Sequence, residues 1–502
     1  MSEDADIAGL RSKVAKGAGW VGAARIAIRV LGFINTIVVA RLLTPEDFGI
    51  IAIGVTTMQL LQGFSDVGVS QAIVRFHDAD RKDVDTLFTF SVIRGLLVAA
   101  LLIAIAPFAA GFYGDERVQA VFFAVALFPL MIGFINPKFF EYERDLDFSK
   151  DFLVTVTNKL AGVAVSITIA LIFRTYWAII LGLLTGGLVQ LILSYALRPY
   201  RPRFTFASFN KMFGFSSWLA GVSFMAALNN KLNALIVARF ASPTDAGNFY
   251  MGAQLSELAT NEISQPVTRA LYPGFSSLQE QTGKMRLAYL QGVEALGMIV
   301  IPIAFGFSFV AQDLVIVLLG AKWSSAIPVI EIIAPVMGLQ TLFLATQSYA
   351  IARNMTKFVF YREFFFFFIR TPIIVYATLT NGLMGATYAF AAMGLLHLGL
   401  NLALYARLAG DPFWRPLWSA RRSLAGAAAL SLYFLFLRPS LGLMDTASTP
   451  INLIVNIAVG AALYLGVVYT MWRLENRPDG IERILLTTLR TRLDNKRPAS
   501  SP

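Results

Sequence analysis

The chain of 502 residues contains no cysteine and only two histidines, His77 and His397. The absence of cysteine excludes disulfides, thiolate metal sites and cysteine nucleophiles. Two imidazoles leave little for metal binding or acid–base chemistry, so we expect no catalytic residue, no metal and no cofactor. Charged residues are scarce at 15% of the chain, whereas 56% is hydrophobic and the mean hydropathy is +0.64. A water-soluble protein of this length could not bury so many apolar side chains.

Apolar stretches long enough to cross a bilayer, roughly 20 residues each, recur along almost the whole chain. They predict an all-α polytopic membrane protein with about 14 transmembrane helices. The predicted spans are 17–42, 48–74, 87–112, 118–137, 152–173, 176–197, 212–240, 247–275, 286–311, 326–351, 358–379, 383–407, 421–438 and 451–472. Residues 475–502 are basic and predict a cytoplasmic tail that is partly disordered.

The distribution of basic residues predicts the orientation in the membrane. On this map 29 of the 42 Lys and Arg side chains fall on the side that holds both termini, and six fall on the opposite side. Basic residues accumulate on the cytoplasmic side, so both termini are expected in the cytoplasm and the protein in the cytoplasmic (inner) membrane. The net charge of +11 then reflects topology and anionic lipid, and no nucleic-acid partner is expected.

One sequence motif occurs twice. Residues 39–49 read V-A-R-L-L-T-P-E-D-F-G and residues 237–247 read V-A-R-F-A-S-P-T-D-A-G, 198 positions later. Six predicted spans separate the copies, so two six-helix halves share one orientation and are related by an axis along the membrane normal. The predicted division is an N-lobe at 1–200, a C-lobe at 201–410, two further helices at 411–474 and the tail.

Within each copy, the residue types favour a tight turn between two helices. Thr44 and Ser242 are suited to cap a helix N-terminus, with a proline at the first helical position. Asp47 and Asp245, three residues after the caps, complement the helix dipole. This structural interpretation is favoured over a ligand-binding role.

Several basic residues fall inside predicted spans, where an ionisable group is expensive unless it faces water or a partner. Arg25 and Arg29 are four residues apart and share one helical face. Lys231 lies within the polar sequence N-N-K-L-N, and Arg370 has Glu363 two turns before it as a possible ion-pair partner. We expect a cationic cavity formed by Arg25, Arg29, Lys159, Lys231 and Arg370. Its polar lining is expected to include Asn35, Asn229, Asn230 and Asn233.

Acidic residues inside the spans are fewer. Glu257, Glu262 and Glu294 are candidates for coupling transport to an ion, and structural ion pairs are the alternative. Asp66 is expected to stabilise a helix end. An excess of cations over acids would attract phosphate oxygens or other anions.

Three sequence elements are similar to those of a known family. The runs A-R-L-L-T-P-E-D-F-G at 40–49, F-S-D-V-G-V at 64–69 and L-L-G-A-K-W-S-S-A-I-P-V-I at 318–330 resemble the polysaccharide-transport (Wzx-type) flippase branch of the MOP exporter superfamily. The resemblance implies the MOP exporter fold and outward movement of undecaprenyl-diphosphate-linked oligosaccharides for exopolysaccharide, capsule or O-antigen synthesis. It implies the lipid-linked oligosaccharide and membrane lipids as partners, with polysaccharide polymerase and chain-length proteins as further candidates.

Under this resemblance, the five cations would hold the diphosphate or acidic sugars. The alternatives are a lipid II flippase or a multidrug/cation antiporter of the same superfamily. A membrane glycosyltransferase or polymerase would need catalytic carboxylates or large loops outside the membrane, and the loops between these spans are short. The sequence therefore favours a transporter over an enzyme.

Overall fold

The computed structural model describes residues 2–65, 80–145, 147–208, 217–278, 281–440 and 449–475. All the long regular elements in these ranges are helices. They are α1 (Ser2–Leu42), α2 (Pro45–Ser65), α3 (Arg81–Tyr113), α4 (Glu116–Val125), α5 (Leu127–Gly133), α6 (Phe148–Phe173), α7 (Trp177–Leu197), α8 (Ser217–Phe240), α9 (Pro243–Ser277), α10 (Thr282–Phe309), α11 (Ala311–Leu318), α12 (Ile327–Thr341), α13 (Leu344–Ala352), α14 (Thr356–Ala409), α15 (Arg421–Leu432) and α16 (Pro450–Leu474).

The helices confirm the all-α membrane fold predicted from hydropathy. In the described ranges, ten helical stretches are long and apolar enough to cross a membrane. Helix accompanies each predicted span, because a bilayer leaves the backbone no other way to satisfy its polar groups within one segment. The number of fourteen crossings stays a prediction. Asp66 and residues 476–502 of the tail lie outside the described residues.

The chain forms two compact units, residues 1–250 and residues 251–502. In the first unit α1 packs against α6, α2 against α8, and α6 against α7. In the second unit α10 packs against α12 and α15, α12 against α14, and α15 against α16. The boundary falls within α9. The lobe boundaries expected from the repeat stay a prediction.

The two copies of the repeated motif cap α2 and α9 as their residue types predict. The backbone N–H of Asp47 donates to Thr44 Oγ1 at 3.3 Å, and the N–H of Thr44 donates back to Asp47 Oδ2 at 2.9 Å. In the second copy the N–H of Asp245 donates to Ser242 Oγ at 3.0 Å. These bonds satisfy N–H groups that a helix start leaves without partners, so the capping interpretation is confirmed.

Helix α14 is a hairpin of two antiparallel limbs. Asn381 and Gly382 have non-helical dihedral angles, and Gly382 has a φ of 55° that side chains with a Cβ rarely adopt. The limbs run from Thr356 to this turn and from the turn to Ala409, close to the predicted spans 358–379 and 383–407. Residues far apart in sequence, such as Glu363 and His397, therefore meet between the limbs.

The segment that follows α7 lies along the start of α3. Asp85 Oδ1 accepts hydrogen bonds from the Tyr200 hydroxyl at 2.6 Å and the Arg203 N–H at 2.8 Å. The N–H of Thr205 donates to Thr89 Oγ1 at 2.9 Å. Partial burial and the bond to Asp85 raise the pKa of Tyr200 above its ordinary value. Polar side chains in the first turns of α3 thus supply hydrogen-bond partners for the segment that follows α7.

Candidate functional site

Lys159 of α6 lies against α1, the helix that carries Arg29. Arg29 and Lys159 are half-buried, and a Cβ at Gly32 would lie 3.6 Å from the Lys159 Nζ. The ammonium group therefore rests against the turn of α1 that follows Arg29, about 4.5 Å along the helix axis. Among the described residues, no hydrogen bond or ion pair engages Lys159. Arg25 lies one turn earlier on α1 and is exposed.

The cation pair is accompanied by an amide group. Asn35 lies one turn beyond Gly32, and its Oδ1 is buried without a hydrogen-bond partner in the described part of the chain. A buried acceptor without a hydrogen-bond donor is costly. A donor from a bound molecule would satisfy this oxygen.

The asparagine-rich cluster of α8 lies on a helix that packs against α2. Asn229 and Asn233 are buried, Lys231 is half-buried and Asn230 is exposed. Asn233 Nδ2 donates to the Asn230 carbonyl oxygen at 3.1 Å. The cluster belongs to the first unit but to a different helix pair from Arg29 and Lys159.

Arg370 lies in the second unit, on the buried face of the first limb of α14. Its side chain is buried, and its guanidinium carbon lies 5.3 Å from the Phe390 ring centroid and 5.9 Å from that of Phe366. Glu363, its candidate partner from the sequence, accepts a hydrogen bond from Arg362 at 2.5 Å and lies 3.1 Å from His397. The structure thus surrounds the carboxylate with cationic or titratable groups.

The three acidic candidates lie on different helices or outside the described side chains. Glu257 is half-buried on α9; the side chain of Glu262 lies outside the described residues. Glu294 on α10 pairs with Arg422 at 3.1 Å, and Arg422 also bonds Glu475 at 2.7 Å. Partial burial opposes ionisation of Glu475, but hydrogen bonds from Arg422 and Arg421 outweigh it and lower the pKa of this carboxyl. This arrangement favours the structural alternative for Glu294; its role in ion coupling stays a prediction.

The repeated motif supplies a close contact as well as two helix caps. A Cβ built on Gly49 would lie 1.9 Å from the carbonyl oxygen of Pro243, and one on Gly247 would lie 1.8 Å from that of Pro45. Because Gly49 has no side chain, the first turn of α9 packs directly against it. Gly247 allows the same close packing of the first turn of α2. All four residues belong to the first unit. The sequence predicted the turns but not their mutual contact.

Sequence reasoning missed two buried ionic clusters in the second unit. One joins Arg362, Glu363, His397 and Asn401 across the α14 hairpin. The other centres on Asp411, which binds Arg286, Arg415 and the Tyr405 hydroxyl. His397 and Asn401 are four residues apart within a predicted span, and that spacing on one helical face was an available signal.

Known proteins resemble this chain in amino-acid sequence and in fold. A model of the family described as "Polysaccharide biosynthesis protein" matches residues 38–328. The lipopolysaccharide biosynthesis protein WzxC of Escherichia coli (strain K12) is 24% identical over 396 residues, which cover 78% of this chain and 80% of WzxC. The succinoglycan biosynthesis transport protein ExoT of Rhizobium meliloti (strain 1021) is 22% identical over 493 residues, 97% of this chain and 98% of ExoT.

Solved structures share the architecture at low sequence identity. The lipid II flippase MurJ in an inward closed conformation superposes with a TM-score of 0.69 at 14% identity, covering 91% of this chain and 99% of MurJ. An inward-facing multidrug resistance MATE family transporter of the MOP superfamily gives a TM-score of 0.60 at 15% identity, covering 78% of this chain and 99% of the transporter. The MOP exporter fold is therefore confirmed. At sequence identities this low, the similarity to solved structures establishes the fold and not the substrate.

Proposed function

The chain belongs to the polysaccharide biosynthesis protein family, and we propose that it is a flippase that moves lipid-linked oligosaccharides across the membrane for polysaccharide assembly. It is a multi-pass membrane transporter and not an enzyme. WzxC and ExoT, which share most of their length with it, are named for lipopolysaccharide and succinoglycan biosynthesis. The substrate class proposed for this chain is a polyprenyl diphosphate that carries a glycan.

The observation that carries this proposal is the position of Lys159, whose ammonium group rests against the turn of α1 that follows Arg29. Two cations half-buried on neighbouring membrane helices, beside the orphan Asn35 Oδ1, would be stabilised by an anion and by hydroxyl donors. A diphosphate supplies the anion, and sugar hydroxyls supply donors for the amide oxygen. An apolar drug would satisfy neither group, and a cationic drug would add a third positive charge instead of balancing those of Arg29 and Lys159.

Lys231, Arg25 and Arg370 are proposed as further members of this substrate path. Lys231 lies with Asn229, Asn230 and Asn233, which could bind sugar hydroxyls. Arg370 is held between aromatic rings, where a guanidinium keeps its charge and its planar donors. Each cation on the path would offset part of the cost of carrying a diphosphate through a low-dielectric layer.

The Gly49–Gly247 contact is proposed as a seal at the outer membrane surface. We propose that the repeated motifs lie on the side opposite both termini, as the positive-inside count predicts for a cytoplasmic membrane with both termini in the cytoplasm. Helix starts that touch through backbone atoms leave no room for a glycan between them. Transport by alternating access would require this contact to open once the substrate is bound.

The double variant Arg29→Ala, Lys159→Ala is expected to lower transport about 100-fold or more, because each lost charge-assisted contact is worth about 1.5–3 kcal/mol. Transport is measured as surface polysaccharide in the native host lacking the chromosomal copy, with lipid-linked intermediate accumulating inside. The matched control is Lys150→Ala, which removes a cation near the start of the same helix α6. Arg29→Lys should retain part of the activity, because the charge remains.

Normal polysaccharide production by the double variant, at normal protein levels, would contradict the proposed anion site. The second assay is growth of a bacterium depleted of its lipid II flippase. No rescue is expected. Rescue at normal expression would reassign the substrate to the peptidoglycan precursor, the alternative that the same fold allows.

A further inference from the structure

The α14 hairpin encloses an ionic cluster that the proposed substrate path does not use. Arg362 and Glu363 lie on the first limb, and His397 and Asn401 lie on the second. The exposed fractions of the Arg362 and Glu363 side chains are 7% and 6%, whereas that of His397 is 24%. Glu363 is seven residues from the start of the helix, about 10 Å along the helix axis. The cluster is therefore buried, with one exposed edge at the imidazole.

A single carboxylate oxygen serves both basic groups. Glu363 Oε1 lies 2.5 Å from Arg362 Nη2 and 3.1 Å from His397 Nε2. Asn401 completes the cluster, because its Oδ1 accepts from Arg362 Nη1 at 2.7 Å and its Nδ2 donates to the His397 carbonyl oxygen at 2.9 Å. The same Nδ2 lies 3.5 Å from His397 Nδ1. Within the described part of the chain, this contact with the Asn401 amide is the hydrogen-bond contact of Nδ1.

The hydrogen bonds assign the neutral tautomer of His397. The Glu363 carboxylate accepts from Nε2, so Nε2 carries the proton and Nδ1 holds a lone pair. Arg362 and Glu363 are already joined by an ion pair, and the Nδ1 lone pair of the imidazole is the position in the cluster where a further proton can bind. A proton from water would add at Nδ1 and give an imidazolium whose charge faces the Glu363 carboxylate.

The helices α12 and α13, which pack against α14, add few charged groups near the Glu363–His397 contact. On α12 the ionisable group is Glu331, and Gln340 donates to the carbonyl oxygen of Gly394, one turn before His397. The ionisable group on α13 is Tyr349, and Arg353 follows the last residue of that helix. On α14 itself the remaining ionisable groups are Lys357, Tyr361, Arg370, Tyr376, Tyr388, Tyr405 and Arg407. Glu363 is thus the carboxylate in contact with the imidazole.

Protonation would also disturb the packing of the two limbs. An Nδ1–H would point toward the amide donor of Asn401, so this contact would change from weakly attractive to repulsive. Asn401 in turn orients Arg362, and the imidazole ring packs 4.8 Å from the Phe366 ring. Every group that must move therefore connects one limb to the other.

We propose that Glu363 and His397 form a proton-binding site inside the membrane, and that proton uptake at His397 shifts the second limb of α14 against the first. This site is distinct from the proposed anion site on α1 and α6 and does not depend on the identity of the glycan. It provides the chain with a means of responding to a proton gradient.

The sequence allows a direct test, because His77→Gln leaves His397 as the sole histidine. Nitrogen-15 NMR of the labelled imidazole in lipid is expected to show Nε2–H in the neutral form and one protonation between roughly pH 5 and pH 8. Glu363→Gln should reduce the imidazolium fraction at pH 6 about threefold or more, since a carboxylate within hydrogen-bond distance favours the cation. Glu331→Gln on α12 is the matched control and should leave the titration unchanged.

An imidazole that keeps one protonation state over this range would overturn the proposal, and so would a titration that Glu363→Gln does not alter. If Glu363→Gln fails to fold, Glu363→Asp lengthens the contact while keeping the charge, and the same loss of imidazolium is expected. None of these signals requires transport, so failure here and failure of the proposed function are separable.

The absence of cysteine provides the test of limb movement. Spin labels on Phe365→Cys and Leu396→Cys, which are exposed positions on the two limbs, report the separation of the limbs directly. The distance distribution is expected to differ between roughly pH 5 and pH 8, and to become pH-independent in His397→Gln. A distribution that is the same at both pH values with His397 present would overturn the coupling between protonation and packing.

Discussion

Gly49→Ala and Gly247→Ala are each expected to reduce transport about tenfold or more, while the matched substitution Gly63→Ala leaves it unchanged. A methyl group at either motif glycine would lie under 2 Å from a proline carbonyl oxygen of the opposing copy, which is backbone and cannot rotate away. The first turns of α2 and α9 would have to separate, at a cost of about 1–3 kcal/mol. Gly63 lies on the same helix α2, and in the described part of the chain a methyl group there would meet no atom within 4 Å.

The separation itself can be measured. Ala246 is fully buried beside the contact, so Ala246→Cys in the cysteine-free chain should resist a membrane-impermeant maleimide. Labelling from the outer side is expected to increase when Gly49→Ala is added. Combining both alanines should be little worse than one, because either removes the shared contact. Unchanged labelling and unchanged transport in both single variants would contradict the assignment of this contact as a seal.

Asp411→Asn is expected to lower the free energy of unfolding by about 3 kcal/mol. The carboxylate is buried, and it binds Arg286 at 3.0 Å, Arg415 at 3.2 Å and the Tyr405 hydroxyl at 2.7 Å. An amide cannot balance two guanidinium groups, and removing one partner of a buried ion pair costs about 3–5 kcal/mol. The partial exposure of both arginines places the effect at the lower end of this range.

Thermal unfolding in detergent measures this loss, with Asp145→Asn as the control. Asp145 also faces two arginines, Arg144 and Arg198, but its side chain is half exposed. Exposed ion pairs contribute about 0–1 kcal/mol, so the control should change stability little. Equal effects of the two substitutions would show that burial of Asp411 is not what makes its ion pairs strong.

The membrane fold could be predicted from local sequence because its cause is local. An apolar run of roughly 20 residues forms a helix in lipid whatever surrounds it, since each backbone bond closes within the segment. The caps at Thr44 and Ser242 follow for the same reason: donor and acceptor are three residues apart. The turn at Asn381 and Gly382 was likewise visible as a break between two apolar runs.

The partners of buried charges could not be predicted in this way. Arg370, two turns away on one face, was the possible partner of Glu363 in the sequence, and the structure adds contacts of Glu363 with Arg362 and with His397, 34 positions later. Glu294 was identified as a polar residue within its own helix, but the Arg422 that binds it lies 128 positions later. A helical pattern reports which residues share a face and not which helix that face meets.

The amino-acid sequence by itself determined the membrane environment, the helical class, the repeated motif and the identity of the cations, because hydrophobicity and charge are properties of single residues and short runs. Only the tertiary structure decided that Lys159 rests against α1 beside Arg29, that the two motif glycines admit each other's helices, and that His397 closes a hairpin around Glu363. These relations depend on which helices pack together, and packing is decided by complementary shape and charge between segments that lie far apart along the chain.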